Sequence, residues 1–532
     1  MRPAAGHRGG VALAGILLAG AALHLPFLGA ASLWMDEALT LLPALRADGV
    51  RPLVALVRSL DTQPPLSHLA IYVLRDLLPA GELGLRLPNF LALQAGLVFL
   101  FLLIRRTWGA PTALVAVAIA EVSPYLAFYG AEARNYGLWF AAVCASWWLL
   151  LRWAGPAAGA NAAAPGALAV AAWGMANGVG LLVHLFQVFA LATQWAAIGA
   201  VAVAIPRGPR RRLLAAGVAG TLLAFAVFAP WGATIAARAG DGAAGVDWTR
   251  PPSLKTLAAL PYALALGFSW GPGLREAHAL DVSGMLRLHG AALAAAAAVL
   301  ALVVAAAARL LIGRGGASAP AAGVTPAAGA APAAGAPPAA ATAADRIAFL
   351  LVPAAGVAGP VAYALATHFP LHPRHLMFLA PIVPLLLARL VLSRGPGRLA
   401  AAALVALQIG ALVNLRADPA YAKDDERGAV RFAEERSAGE ACIVGDVAPL
   451  YVTRSTGLVE QFADLRDPRL CADVADLWWV ENRPWEDPDG RVRRKMERAA
   501  RERGLEPLGT EGDFRGVTLH HWRRSAAPEG AP

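Results

Sequence analysis

Four short motifs carry the side chains best suited to chemistry. Trp34-Met35-Asp36-Glu37-Ala38 sets two carboxylates side by side, and Asp61-Thr62-Gln63-Pro64-Pro65-Leu66 follows. Gly81-Glu82-Leu83-Gly84-Leu85-Arg86-Leu87-Pro88 comes next. Tyr129-Gly130-Ala131-Glu132-Ala133-Arg134-Asn135-Tyr136 then places an acid two positions before a guanidinium. Carboxylates can take protons and guanidinium groups can grip phosphate, so the pattern suits general-base and anion-binding chemistry. Each motif alone has a plainer reading. Paired acids favour helix N-termini, prolines open helices, Asp61 could cap one, and Glu132 with Arg134 could form a solvated pair worth little.

The elements that must hold these residues are written in the composition. Of 532 residues, 58% are hydrophobic and 15% charged, with a mean hydropathy of +0.53. Soluble chains have about 45–50% apolar and about 25% charged residues, so most of the length is built for lipid. Residues 1–414 carry net charge +14, while 415–532 carry −4. Stretches long enough to span a bilayer lie at 11–30, 87–104, 109–125, 137–153, 166–183, 185–205, 213–230, 288–312, 347–366, 375–393 and 397–414. With eleven spans, the cationic loops, such as Arg105-Arg106 and Arg210-Arg211-Arg212, share one side. The positive-inside rule makes that side the cytoplasm. The N-terminus is then cytoplasmic and the C-terminal domain extracytoplasmic, and the basic balance is a topology signal rather than a nucleic-acid footprint. A cleavable signal at 11–30 is the rival reading, but the stretch is long for one.

Of the thirteen carboxylates in residues 1–414, only Asp345 falls on the cytoplasmic side of this topology. That skew points to a polar site facing outward. Glu121 is the one acid placed inside a span, where an ionisable group suggests function. Residues 31–86 are too polar to span and suit amphipathic helices on the outer membrane face; 231–287 reads similarly. Residues 315–344 hold only Gly, Ala, Ser, Pro, Val and Thr, a composition that reads as a disordered cytoplasmic linker.

Taken in order, the four motifs resemble the family-39 glycosyltransferases of the GT-C fold, relatives of the protein O-mannosyltransferases and of the lipid A aminoarabinose transferases. This chain has Gln63 where the family commonly has His, and its fourth motif lacks the usual Tyr-Ser-Gln opening. The resemblance continues through Pro370–Met377, around Arg374, and through Tyr421-Ala422-Lys423-Asp424-Asp425-Glu426-Arg427-Gly428-Ala429. It implies a polytopic α-helical membrane protein of GT-C type, with about eleven transmembrane helices and outer-face amphipathic helices. A small C-terminal periplasmic α/β domain completes it. The implied domains are a catalytic membrane domain at 1–414 and a soluble domain at 415–532.

The implied activity is inverting transfer of a sugar from a polyprenyl-phosphate donor to a hydroxyl acceptor (lipid, glycan or protein) on the extracytoplasmic face of the cell membrane. Asp36 matches the family's catalytic Asp and is the expected base. Glu37 is expected to orient Asp36, bind acceptor or hold a metal, and Glu132 to join them. Arg134 and Arg374 are the expected phosphate cations, with His372 and His375 beside Arg374. Asp61, Gln63, His68, Arg86, Tyr136 and His184 are candidates for a substrate loop. A lone His near a helix end is more often a structural group than a ligand, and no zinc-type spacing occurs. Some relatives use a divalent metal and others none, and the sequence leaves both open. A lipid-linked sugar transporter or flippase is the alternative, although its usual repeats and mid-membrane charges are missing; a non-catalytic glycan-binding relative is the third.

In the tail, 424–438 and 489–505 suit helices, and 441–445, 476–480 and 517–522 suit strands, together a small α/β domain. Trp478, Trp479 and Trp485 could stack on sugars, but core packing is the commoner use of buried aromatics. Outside the cytoplasm Cys442 and Cys471 can form a disulfide, stabilising the domain by roughly 3–4 kcal/mol in the chain-entropy model. Two buried free thiols are the other reading.

Overall fold

A computed structural model describes residues 4–60, 63–157, 165–240, 252–312, 356–437, 441–445, 447–451, 459–460, 474–487 and 489–524. The 315–344 linker lies outside them. The chain opens with helix α1 (Ala4–Leu28) and three short helices, α2 (Met35–Arg46), α3 (Val50–Leu60) and α4 (Leu66–Leu74), where amphipathic helices are expected. Then follow α5 (Glu82–Trp108), α6 (Ala110–Glu121), α7 (Pro124–Gly130) and α8 (Tyr136–Ala157). Further helices run over Ala167–Val183, Gln187–Ala204, Arg207–Gly240, Leu254–Leu266, Val282–Ile312, Ala358–Thr367, Ile382–Val391 and Pro396–Ala417.

Six described helices are long and apolar enough to cross a membrane, or eight if each of two bent pairs is one span, against the eleven expected. The expected spans at 166–183 and 185–205 coincide with shorter apolar helices, and part of 347–366 lies outside the described residues. The bends have local causes. Ser123 caps α7 by accepting from the Leu126 amide at 3.4 Å, and Pro124 follows it, so the chain restarts at 63° to α6. Proline restricts the residue before it and favours the first helical turn. The second pair, Pro373–Leu379 with Ile382–Val391, bends by 57° at Pro381. Both restarts deliver polar loops to one place, as shown below.

Several polar side chains are paired inside the bundle, which lowers the cost of burying them. Trp139 Nε1 donates to Gln187 at 2.9 Å, Gln187 Nε2 to Asn177 at 2.9 Å and Gln194 Nε2 to Ser146 at 2.8 Å. Glu121 is half-paired, its Oε1 buried without a hydrogen-bond partner. Its carboxylate lies over Gly20, where a Cβ would come within 2.1 Å of it, and it accepts from Gln94 at 3.3 Å. His24 Nε2 meets the Glu121 carbonyl oxygen at 2.9 Å. Arg416 Nη2 lies 2.6 Å from His24 Nδ1; because arginine only donates, Nε2 is the protonated nitrogen.

The C-terminal part forms a five-stranded sheet in the order β2-β1-β3-β5-β4, with β1 (Ala441–Val444), β2 (Val459–Glu460), β3 (Asp476–Asn482), β4 (Leu505–Thr510) and β5 (Val517–Arg524). β1 is parallel to β2 and β3; β5 is antiparallel to β3 and β4. Strands β1, β3 and β5 and the helices Glu426–Arg436 and Arg491–Glu502 fall where the sequence places them, whereas β2 and β4 are additions. Side-chain alternation splits the sheet. Leu477, Trp479 and Trp522 pack on Met496 and Ala500 of the helix Arg491–Glu502. On the other face Ala441, Trp478, Val480 and Leu519 share one core with Leu33, Ala38, Leu41 and Leu42 around α2. Trp478 and Trp479 are therefore core residues, while Trp485 lies beneath Arg275, 4.7 Å from its ring centre.

Of three cysteines, Cys442 is disulfide-bonded and Cys144 is a buried free thiol; Cys471 lies outside the described residues. Thiol labelling of denatured, unreduced protein is expected to modify one cysteine, and reduction before labelling all three. Three labelled without reduction would remove the bridge.

Candidate active site

The site is built around the first turn of α2. Trp34 enters in an extended conformation, and Asp36 and Glu37 occupy the first turn. Successive side chains on a helix diverge by about 100°, so the two acids face different partners. Glu37 turns inward to Arg86. Arg86 is 1% exposed, and its Nε and Nη2 each donate to a Glu37 oxygen at 2.8 Å. Nη1 donates to the carbonyls of Leu28 at 2.7 Å and Ala31 at 2.8 Å, and Nη2 also to Ser32 at 2.8 Å. A guanidinium has five N–H donors, and all are used. The Ala133 amide donates to Glu37 Oε1 at 2.7 Å. Burial raises the Glu37 proton affinity, but the charges of Arg86 and Lys423 and these hydrogen bonds outweigh it and hold its pKa at about 2. Arg86, expected in a substrate loop, is thus the partner that fixes Glu37.

Asp36 turns the other way and forms an ion pair with Arg374. One helical turn on, Thr40 accepts from Arg134 Nη1 at 2.7 Å, so both expected phosphate cations lie along the Asp36 side of α2. The Tyr125 hydroxyl donates to the Pro373 carbonyl at 2.9 Å, tying the second helix restart to the first.

Glu132 follows α7 and is fully buried. Lys423, from the segment leading into the sheet domain, reaches its Oε1 at 3.2 Å and Glu37 Oε2 at 3.6 Å. Lys423 Nζ also lies 5.8 Å and 5.4 Å from the ring centres of Trp34 and Phe128. Glu132 Oε2 is buried with no hydrogen-bond partner. Burial raises the Glu132 pKa; Lys423 opposes this, and the neighbouring negative charges of Glu37 and Asp36 reinforce it. Glu132 therefore holds a proton more readily than an ordinary glutamate. Lys423 stands inside the resembling Tyr421–Ala429 stretch, and that position was its one sequence signal.

The histidines sort differently. The His372 amide donates to His375 Nδ1 at 3.0 Å, a local cap. Burial first, then the charge of Arg374 and the neighbouring His278, push the His372 pKa down to about 3, so it is neutral and adds no charge for an anion. His375 stacks on Phe186 with centroids 4.9 Å apart, and His184 on Trp139 at 4.0 Å; both act as packed aromatics. His68 Nε2 meets the Leu39 carbonyl at 3.3 Å. Asn135 Nδ2 reaches Gln63 at 3.5 Å and Val183 O at 2.7 Å, and Tyr136 packs edge-on against Tyr129 at 5.0 Å. Asp61 lies outside the described residues. Among the described residues no group of three or more His, Cys, Asp or Glu side chains is arranged to hold a metal ion.

Arg86→Met is expected to destabilise the protein by about 3–5 kcal/mol, because it leaves a buried carboxylate uncompensated; thermal unfolding in detergent measures it. The Glu37 pKa is depressed on folding, so its contribution is present above the ordinary carboxylate range and is lost as pH falls towards about 2. Glu37→Gln should flatten that acid limb of stability. An unchanged acid limb would show that Glu37 is not held ionised.

No family model matches the sequence, and no curated protein matches it. Solved structures do. ArnT from Cupriavidus metallidurans bound to undecaprenyl phosphate aligns over 98% of this chain and 99% of that one, at 15% identity and a TM-score of 0.53. The apo ArnT structure from the same organism aligns over 86% and 87%, at 14% identity and a TM-score of 0.41. ArnT is a lipid A aminoarabinose transferase and a GT-C fold enzyme. At this identity the whole-length alignment to the lipid-bound structure is an agreement of fold: helices, bent pairs and C-terminal sheet together make a GT-C fold.

Proposed function

We propose that the protein transfers a sugar from a polyprenyl-phosphate donor to a hydroxyl acceptor at the extracytoplasmic face of the membrane, with inversion at the anomeric carbon. The observation that carries this reading is the Asp36–Arg374 ion pair, beside which Arg134 bonds Thr40 one turn along. A base is held here by the group best suited to a phosphate. Around it Arg86 pairs with Glu37, Arg374 with Asp36, and Lys423 with Glu132. The undecaprenyl phosphate bound to ArnT, a protein of the same fold, supports a lipid phosphate as the anion. A disulfide at Cys442 suits an oxidising compartment and so a C-terminal domain outside the cytoplasm.

In this mechanism the donor phosphate takes the Arg374 guanidinium, and Asp36 is released from its ion pair. Arg374 then neutralises the departing phosphate, and Asp36 acts as the base. The acceptor hydroxyl gives its proton to Asp36 while its oxygen bonds to the anomeric carbon. The bond from that carbon to the phosphate oxygen breaks, and polyprenyl phosphate leaves with the electron pair. A single displacement from the opposite face inverts the centre. Glu37, locked by Arg86, holds α2 in register. Glu132, with its raised proton affinity, offers its unpartnered oxygen to a substrate hydroxyl.

Purified protein incubated with polyprenyl-phosphate sugars should release polyprenyl phosphate. Asp36→Asn should lower that rate by about 10²–10⁴-fold, the usual cost of losing a general base. It should bind carrier lipid as well as or better than the wild type, since Arg374 no longer has to leave a carboxylate. A full rate in Asp36→Asn would reject Asp36 as the base. Arg374→Lys keeps the charge but loses the planar fork, and weaker carrier binding is its expected result. If Arg374→Ala binds carrier normally, the phosphate is held elsewhere.

A further inference from the structure

Arg483 sits in the turn after β3 with φ of 50°, a left-handed conformation that side-chain-bearing residues rarely adopt and glycine adopts freely. Its guanidinium carbon lies 4.5 Å from the centre of the Trp34 ring, two residues before Asp36. The position is firmly held. The Arg483 amide donates to the Gly516 carbonyl at 3.2 Å, and the Asp425 amide to the Arg515 carbonyl at 2.8 Å. Arg483 Nε reaches Asp424 Oδ2 at 3.4 Å, and Arg275 reaches Oδ1 of the same carboxylate at 3.5 Å. Gly516, at φ of +76°, makes this possible: a Cβ there would come within 1.9 Å of Asp424 Oδ1 and 2.7 Å of Arg275 Nη2.

Two guanidinium groups thus share one carboxylate, and one of them lies over Trp34. A residue needed only for the turn would be served better by glycine, so the strained backbone is explained by what the side chain does. The same Trp34 ring lies 5.8 Å from Lys423 Nζ, which pairs with Glu132 and Glu37, so Arg483 borders the carboxylate cluster around α2.

We infer that Arg483 is a second ligand for the donor phosphate, so that the sheet domain completes the anion site that Arg374 begins in the membrane domain. The inference rests on the transferase reading above. Guanidinium groups bind phosphate through planar paired donors, and two approaching from different domains would order the sheet domain over the site when donor binds. The sheet domain is then part of the active site rather than an appendage to it. Lys423, which enters from the same domain onto Glu132, is consistent with that division of labour.

The test measures binding of undecaprenyl phosphate, without sugar, to the full-length protein in detergent, with undecaprenol as the phosphate-free probe. Arg483→Gly is the informative variant, because glycine accepts the left-handed backbone and so offsets part of the loss of the Asp424 and Trp34 contacts. Its affinity for undecaprenyl phosphate should fall about tenfold, the scale of one charge-assisted contact, with undecaprenol binding unchanged. Should that variant fail to fold, Arg483→Lys serves instead: loss confined to the phosphate probe supports the proposal, and equal loss for both probes overturns it. Wild-type affinity in Arg483→Gly together with loss in Arg374→Ala overturns this inference alone. Failure of the wild type to bind the phosphate probe overturns the transferase reading with it.

Discussion

The Arg86–Glu37 pair is the interaction on which the site depends. Two opposite charges buried together recover their lost hydration only if every donor and acceptor finds a partner. Here both carboxylate oxygens and all five guanidinium N–H groups are engaged, and the Ala133 amide adds a further bond. The pair joins the end of α1, the first turn of α2, the start of α5 and the loop after α7. Because it fixes the rotation of α2, it also fixes the direction of Asp36, Glu37's neighbour on the helix. The direction of Asp36 is thus set by a pair that it does not itself join.

Charge around α2 is distributed by depth. The deepest pair is closed and saturated. Next lies Glu132, half-paired with Lys423 and carrying a raised proton affinity. Asp36 with Arg374 is the less buried pair, its guanidinium 22% exposed. His372 beside Arg374 is neutral, so it adds nothing to the charge of the guanidinium groups, which keep theirs across the physiological range.

The sheet domain and the membrane domain share a hydrophobic core. Leu33, Ala38, Leu41 and Leu42 pack with Ala441, Trp478 and Val480, and Tyr451 donates to Glu82 at 3.1 Å while accepting from the Leu33 amide at 2.6 Å. A helix lying across the top of the bundle has only one face to bury downward; the sheet supplies cover for the other. This shared core explains how short helices between the first spans are held in fixed positions.

The sequence alone determined which acids belong together, since their motif order and their gathering at one face survive as geometry in Asp36, Glu37 and Glu132. It also determined the membrane helices in outline and the buried strands β1, β3 and β5, because hydrophobic runs of the right length report burial directly. Pairing was decided only by tertiary structure. Arg86 lies 49 residues from Glu37, Lys423 291 from Glu132 and Arg374 338 from Asp36, and nothing local in a guanidinium says which carboxylate it will meet. β4 shows the same limit: only Leu505 of its six residues is buried, so this edge strand has no alternation to read. The number of spans also differed, because the apolar runs at 166–183 and 185–205 fold as shorter helices. Burial is a property of a residue and can be written in its type, whereas partnership is a property of two distant residues and arises only when the chain has folded.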